Sequence, residues 1–330
     1  MDHTLQKSFS SRKKIFITGI AGFIGFHLAR YLKSKGEVVL GCDNFNDYYD
    51  PKLKYDRAQI LKNEGIEVHT ADIRDKDMIE SLFQGEGITH IVHLAAQAGV
   101  RYCITHPQAY VHSNLDGFVQ MLEVCRKFGS IPFIYASSSS VYGMNKKIPF
   151  AESDPTDSPS NFYGATKKSN EIIARSYHHL YHIPVTGLRF FTVYGPWGRP
   201  DMAYFSFTKA ILSNHPVPIF SEGRMQRDFT YIDDIVRGSY AAINLAAQDE
   251  IFNLGHNHPH SVSELISQIE SASRRTATLQ HFPMQPGEVP MTYADITKSQ
   301  NMLGFAPKTK LPEGIAQFVE WYQNYYQHSG

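Results

Sequence analysis

A doubly wound α/β fold, with a parallel sheet between two layers of helices and a smaller α/β unit after it, is predicted by three features of the sequence. Short, wholly apolar runs rich in β-branched residues alternate with helical patterns through the first half, as expected of a parallel sheet covered on both faces. A glycine-punctuated turn, Gly19-Ile20-Ala21-Gly22-Phe23-Ile24-Gly25, joins the first run to the first helical pattern. That alternation breaks near residue 191, where Pro and Gly interrupt the stretch from Tyr194 to Pro200.

Taken in order, Lys14–Thr18 reads as a buried strand and Phe23–Lys35 as a helix. Val38–Cys42, Val68–Ala71 and Ile88–Ala95 read as the next three strands. Ala109–Lys127 has the period of a long helix, Pro132–Ser137 of a fifth strand, Asn161–Tyr181 of a second long helix and Val185–Phe190 of a sixth strand. Residues 13–190 therefore form the expected Rossmann-type domain, and 191–330 mainly a substrate domain. Phe229–Leu245, which looks helical, and Ile251–Leu254, which looks like a strand, return segments near 229–255 to the first domain. Residues 1–12 are expected to be a flexible polar tail.

Lys plus Arg equals Asp plus Glu at 32 each, so no basic stripe argues for nucleic acid. Cys42, Cys103 and Cys125 lack C-x-x-C spacing and read as free thiols of a reducing compartment. Arg12-Lys13-Lys14 before the apolar run Ile15–Phe26 resembles a signal peptide, but three glycines interrupt it and no A-x-A cleavage pattern follows. The run is also too short to span a bilayer. A cytoplasmic protein without membrane contact is expected.

The glycine turn has G-x-x-G-x-x-G spacing rather than G-x-G-x-x-G. Gly19 permits the tight turn, Gly22 lets backbone approach a pyrophosphate, and Gly25 lets the helix pack on the sheet. A packing motif would look the same. Asp43, 18 residues past Gly25, closes the second strand where a ribose-binding carboxylate belongs. A carboxylate there repels a 2′-phosphate, so NAD is favoured over NADP. Asp72-Ile73 ends the third strand and borders the adenine on this reading, although Asp72 reads equally well as a loop or cap residue. Phe23 and Ile24 in the first helical turn, with Leu94 and Ala96 near the end of the fourth strand, complete the expected cofactor contacts.

Tyr163 and Lys167 lie four residues apart, on one helical face. Tyrosine loses its proton near pH 10, and a base active at neutral pH needs a depression of about three units, or roughly 4 kcal/mol. Lys167 and an oxidised nicotinamide are the expected sources of that charge. Ser138, at the C-terminal end of a strand, is placed to hold a reacting hydroxyl near the phenol. Taken alone, a Y-x-x-x-K pair is often a solvated helix face, and four serines a turn.

With these residues in place, the chain resembles the extended short-chain dehydrogenase/reductase superfamily from Thr18 to Tyr326. Within it, the chain is similar to UDP-glucuronate 4-epimerases. The resemblance rests on Asp43-Asn44-Phe45-Asn46-Asp47-Tyr48-Tyr49-Asp50, on Ala95 to Tyr102, on Arg189 to Met202, on Gly223 to Asp234 and on Met284-Gln285-Pro286-Gly287-Glu288-Val289-Pro290. It implies that Tyr163 takes the proton of a sugar 4-hydroxyl while NAD accepts the C4 hydride and later returns it to the other face. The intermediate 4-keto uronate is a β-keto acid prone to lose CO2. Ser139, Ser140 and Thr192 are the expected donors that pin its carboxylate, with Arg199 a charge partner. Related dehydratases typically carry Asp-Glu at Ser139-Ser140, and decarboxylases a glutamate at Ser140, so the serines favour epimerisation.

The resemblance also makes Arg227 a diphosphate ligand, against the simpler alternative of an ion pair with Asp228. Gln285 stands where many relatives place a second arginine. Val217–Phe220 is expected to border the uracil, and Arg101 to face the sugar. His256-x-His258-x-His260 precedes a capping box at Ser261–Glu264 and lacks a fourth ligand, so no metal is expected. The leading expectation is interconversion of UDP-glucuronate and UDP-galacturonate for a surface polysaccharide, by a homodimer formed through the 109–127 and 161–181 helices. The alternatives are a neutral UDP-hexose 4-epimerase, a UDP-glucuronate decarboxylase or dehydratase, and, outside enzymes, an NAD-sensing regulatory protein.

Overall fold

Alternate side chains of β1 (Lys14–Thr18) go to opposite faces of one sheet: Ile15 and Ile17 enter one buried cluster, Phe16 the other. This computed structural model describes residues 12–283 and 290–327, so nearly all of the expected tail, and Gln285, lie outside the described residues. After β1 come α1 (Phe23–Ser34), β2 (Val38–Asp43), α2 (Lys52–Asn63), β3 (Glu67–Thr70), α3 (Lys76–Ser81) and β4 (His90–His93). Two short helices follow, α4 (Tyr102–Thr105) and α5 (Pro107–Tyr110), then a π turn (Val111–Asp116) that runs into α6 (Gly117–Lys127). Next are β5 (Phe133–Ser138), a 3-10 turn (Ser139–Tyr142), α7 (Phe162–Tyr181) and β6 (Val185–Phe190).

The remainder contributes β7 (Thr192–Tyr194), α8 (Ala203–Leu212), β8 (Val217–Phe220), β9 (Gln226–Tyr231), α9 (Ile232–Leu245) and β10 (Asp249–Leu254). Last come β11 (Pro259–Ser261), α10 (Val262–Ser273), β12 (Leu279–Phe282), β13 (Met291–Thr292), α11 (Thr297–Leu303) and α12 (Leu311–Gln327). Seven parallel strands make the main sheet in the order β10-β6-β5-β4-β1-β2-β3, a Rossmann-type arrangement. The order reverses between β1 and β4, so the C-terminal ends of the strands open a crevice there. A smaller sheet joins β11, β9 and β13, with β7 on β9, and β12 pairs with β8.

Three elements differ from the sequence reading. The expected helix over 109–127 is broken by the π turn. There the Asn170 amide donates to the Asn114 carbonyl at 2.5 Å and competes with the helical ladder. The helix expected over 229–245 begins only at Ile232, because Phe229–Tyr231 pair in parallel with β7. Finally, β4 stops at His93, and Ala95 and Ala96 leave the sheet to line the crevice. Among the described residues, no helix is long and apolar enough to cross a membrane.

One buried network joins the elements beneath the crevice. Arg189 on β6 and Glu171 on α7 form a bidentate pair at 2.8 and 2.9 Å, with side chains 3% and 2% exposed. Ser137 on β5 donates to the same carboxylate at 2.6 Å, and Arg189 also donates to Tyr142 Oη at 2.9 Å. Removing one partner strands the other charge in a dry interior. Glu171→Ala is expected to lower the free energy of unfolding by about 3–5 kcal/mol in urea denaturation, whereas a surface pair would give less than about 1 kcal/mol.

Candidate active site

The crevice is a cleft of about 910 Å³ at the C-terminal ends of the parallel strands, walled on its far side by β7, α8 and β9. Its floor begins with the glycine turn. Gly19 has φ of +70°, a conformation suited to glycine, and its N–H donates to Cys42 O at 2.7 Å. A Cβ on Gly25 would lie 2.2 Å from the Gly19 carbonyl, so the turn and α1 pack this closely only with glycine there. Gly22 caps α1 without a side chain, and no acidic residue occupies the first turn. The N–H groups of Phe23, Ile24 and Gly25 have no carbonyl within the helix to bond, and all three residues line the cleft. This is an anion cradle.

Asp43 ends β2 and lines the same cleft, accepting from Phe45 N at 2.9 Å. Burial pushes its carboxyl up, while Lys54 and the Phe45 N–H hold it down. Ile73, Leu94 and Ala96 line the cleft. Asp72 does not. It lies past the end of β3, where the Arg74 guanidinium clasps it at 2.9 and 3.0 Å, and the Arg74 N–H and Asn44 also donate to it. The Arg74 hydrogen bonds, against some burial, hold this carboxyl down at about 2.

The reacting groups gather where β5 meets α7. Ser138 ends β5 in extended backbone, and its Oγ accepts from Ser140 N at 3.1 Å, which leaves its O–H to donate elsewhere. Asn161 caps α7 by accepting from Gly164 N at 2.8 Å, and a Cβ on Gly164 would lie 2.5 Å from Ser140 O. That close approach brings Tyr163 and Lys167 beside the serine turn. Burial pushes the Tyr163 phenol up; Arg199 and the Ser138 hydroxyl pull it down, and Asp201 raises it. Lys167 donates to Ala136 O at 3.0 Å and is pushed down to about 8 by burial. Of the charged side chains around Tyr163, Arg199 is one that favours its ionised form.

Ser139, Ser140 and Thr192 are half-buried and face the cleft. Arg199 does too, held by Asp201 at 3.0 and 2.5 Å. Arg227 on β9 lines the cleft and donates to Gln226 O at 2.8 Å. The suggested pair with Asp228 does not account for that carboxylate, which is buried and accepts from Thr230, His256 N, Asn257 N and Ala294 N. Arg101 sits over the Phe220 ring at 5.2 Å, at the end of the segment expected near a base. Sequence reasoning missed Tyr48, Lys54 and Asp201, all of which line the cleft. The Asp43–Asp50 run was noted, but nothing local showed which of its residues face inward.

The sequence profile of the NAD dependent epimerase/dehydratase family matches residues 15–255. The chain is 48% identical over 330 residues to UDP-glucuronate 4-epimerase 4 of Arabidopsis thaliana, covering 94% of this chain and 76% of that protein. It is similar, with a TM-score of 0.88 and 37% identity over 95% of this chain and 100% of the other, to UDP-glucuronic acid 4-epimerase from Bacillus cereus in complex with UDP-glucuronic acid and NAD. It is also similar to UDP-glucose 4-epimerase with UDP-glucose from Thermotoga maritima, with a TM-score of 0.84 and 30% identity over 95% and 99% of the two chains.

Lys167 gives the site a pH signature. The folded protein sheds its proton as pH rises through about 8, whereas an unfolded lysine keeps it to about 10.5. Between those values the unfolded chain binds the extra proton, so this group adds stability as pH rises. The unfolding free energy of wild type relative to Lys167→Met is expected to grow by about 2–3 kcal/mol from pH ~7 to pH ~10. A gap that stays flat would contradict the burial of a charged ammonium.

Proposed function

The chain belongs to the NAD dependent epimerase/dehydratase family, and from that premise we propose that it is an NAD-dependent 4-epimerase interconverting UDP-glucuronate and UDP-galacturonate. One observation carries the choice within the family: the strand end facing Tyr163 offers Ser138, Ser139 and Ser140 to the cleft, hydroxyls without a carboxylate among them.

The residues present fit the cofactor. The uncapped first turn of α1 and the Gly19–Gly25 contact leave room for a pyrophosphate, and Asp43 lines the same cleft at the end of β2. Gly19, Gly22, Phe23, Ile24 and Gly25 would hold the phosphates, Asp43 the ribose, and Ile73, Leu94, Ala96, Tyr163 and Lys167 the remainder. When bound, NAD supplies an acceptor and donor of hydride and a positively charged ring.

Tyr163 takes the proton of the C4 hydroxyl, and Ser138 donates its O–H to the oxygen that carries it. Because burial raises the Tyr163 phenol, the positive charge gathered around it sets the pH at which it serves as base. Ser139, Ser140 and Thr192 hold the C5 carboxylate so that its bond to C5 stays out of line with the C4 carbonyl, and decarboxylation is suppressed. An acid at either serine would repel that carboxylate. Arg199 offers charge to it and Arg227 to the diphosphate, while Phe220 and Arg101 border the base and sugar.

The same reading makes the protein a cytoplasmic homodimer supplying a surface polysaccharide. Exposed Ile172 and Leu180 on α7 support pairing through that helix. Purified protein given UDP-glucuronate and no added cofactor is expected to form UDP-galacturonate without CO2. A pentose product would indicate a decarboxylase, and turnover of UDP-glucose alone a neutral-sugar epimerase. Tyr163→Phe is expected to lose at least about a hundredfold in kcat while retaining bound NAD; wild-type kcat in that variant would remove Tyr163 from the mechanism.

A further inference from the structure

Arg57 on α2 is a fully buried guanidinium with no part in the proposed chemistry. Its two terminal nitrogens donate to four neutral oxygens. One reaches Ala21 O in the glycine turn at 3.0 Å and Tyr49 Oη at 2.9 Å. The other reaches Trp197 O at 2.5 Å and Gly198 O at 3.2 Å, in the loop after β7. A buried cation is costly, and an apolar side chain of similar size would serve the interior at least as well. What the guanidinium adds is a planar fork that meets the cofactor cradle on one side and the loop on the other. A lysine ammonium is a single point and cannot span both.

The loop is held closely at these contacts. The Gly198 carbonyl belongs to the peptide that supplies the Arg199 N–H, so Arg57 fixes the backbone where the Arg199 side chain departs. Pro196 O accepts from His27 Nε2 on α1 at 2.9 Å, so the carbonyls of residues 196, 197 and 198 are all bound by side chains of α1 and α2. Trp197 has φ of +60°, a conformation that a bulky residue keeps only where its surroundings hold it. Its ring packs against Phe26 at 5.6 Å and Trp321 at 5.3 Å. A Cβ on Gly198 would lie 1.9 Å from Tyr204 Oη. The far end of Arg199 is held separately: Asp201 clasps its guanidinium, and Tyr48 donates to that carboxylate at 3.0 Å.

We propose that Arg57 is a positioning residue that ties the loop carrying Arg199 to the glycine turn, and thereby sets the preference of the cleft for an acidic sugar over a neutral one. The preference rests on the reading that Arg199 offers charge to the C5 carboxylate. A guanidinium bonds a carboxylate well only at short range and in a matched plane. A loosened loop therefore loses affinity for the charged sugar, while a nucleotide sugar without that charge is bound as before.

Two measurements on the NAD-containing protein test this. Hydrogen exchange is followed by mass spectrometry in peptides covering residues 195–203. Apparent dissociation constants are measured for UDP-glucuronate and UDP-glucose in wild type, Arg57→Lys, Arg199→Ala and the double variant. In Arg57→Lys, residues 195–203 are expected to exchange on the order of tenfold faster, with the strands of the main sheet unchanged. The same variant is expected to bind UDP-glucuronate on the order of tenfold more weakly and UDP-glucose within about twofold of wild type. In the Arg199→Ala background, Arg57→Lys is expected to shift the ratio of the two constants no further. Unchanged exchange in Arg57→Lys would overturn the proposal, as would an unchanged ratio there when Arg199→Ala alters it. If Arg57→Lys does not fold, Tyr49→Phe decides: it removes one acceptor of the same guanidinium, so smaller changes in the same directions are expected, and none overturns the proposal. A loop that loosens as expected, with the ratio kept in Arg199→Ala, would fail the carboxylate reading and leave the tie to the glycine turn standing.

Discussion

The buried pair between Glu171 and Arg189 is the contact on which the site's geometry depends. Glu171 lies one turn beyond Lys167 on α7, and Arg189 lies on β6. Ser137, immediately before Ser138, donates to the same carboxylate. One carboxylate therefore sets the register of the helix that carries Tyr163 and Lys167 against the strand end that carries the serines. Two full charges are removed from water to achieve this, and a well-packed apolar pair would be at least as stable. What the ion pair adds is direction: a bidentate guanidinium and a hydroxyl converge on one group, so α7 cannot slide along the sheet without breaking them.

Above that contact, charge is handled by separation. The Lys167 ammonium is drawn to the Ala136 carbonyl, with its own basicity lowered by burial. The cation that favours the Tyr163 phenolate belongs to a loop of the other wall, and it arrives already paired with Asp201. The chain alone holds Tyr163 protonated, since burial is the largest influence on it. The hydroxyls of Ser139, Ser140 and Thr192 face the cleft without adding charge to it.

Features set by short-range rules were legible in the sequence. The glycine turn, the strands of the parallel sheet and the long helix opened by Asn161 depend on residues within a few positions of one another. The place of Asp43 at the end of β2, lining the cleft, was readable from its distance past the turn. Asp72 was ambiguous because a strand-end position suits a site and a loop alike, and its bond to Arg74, two residues away, is as local as a cap. The π turn and the late start of α9 were hidden because an amide on α7 and a pairing with β7 decide them. Asp201 and Tyr48, 153 positions apart, become partners only when the cleft is built, and periodicity carries no trace of that contact.

Inversion at one carbon, with no carbon–carbon bond broken, is checked with UDP-glucuronate carrying deuterium at C4, incubated with the purified protein alone and analysed by NMR and mass spectrometry. The expected product is UDP-galacturonate with deuterium retained at C4 and all six sugar carbons present. Deuterium lost to solvent, or a five-carbon product, would contradict inversion through hydride return at C4.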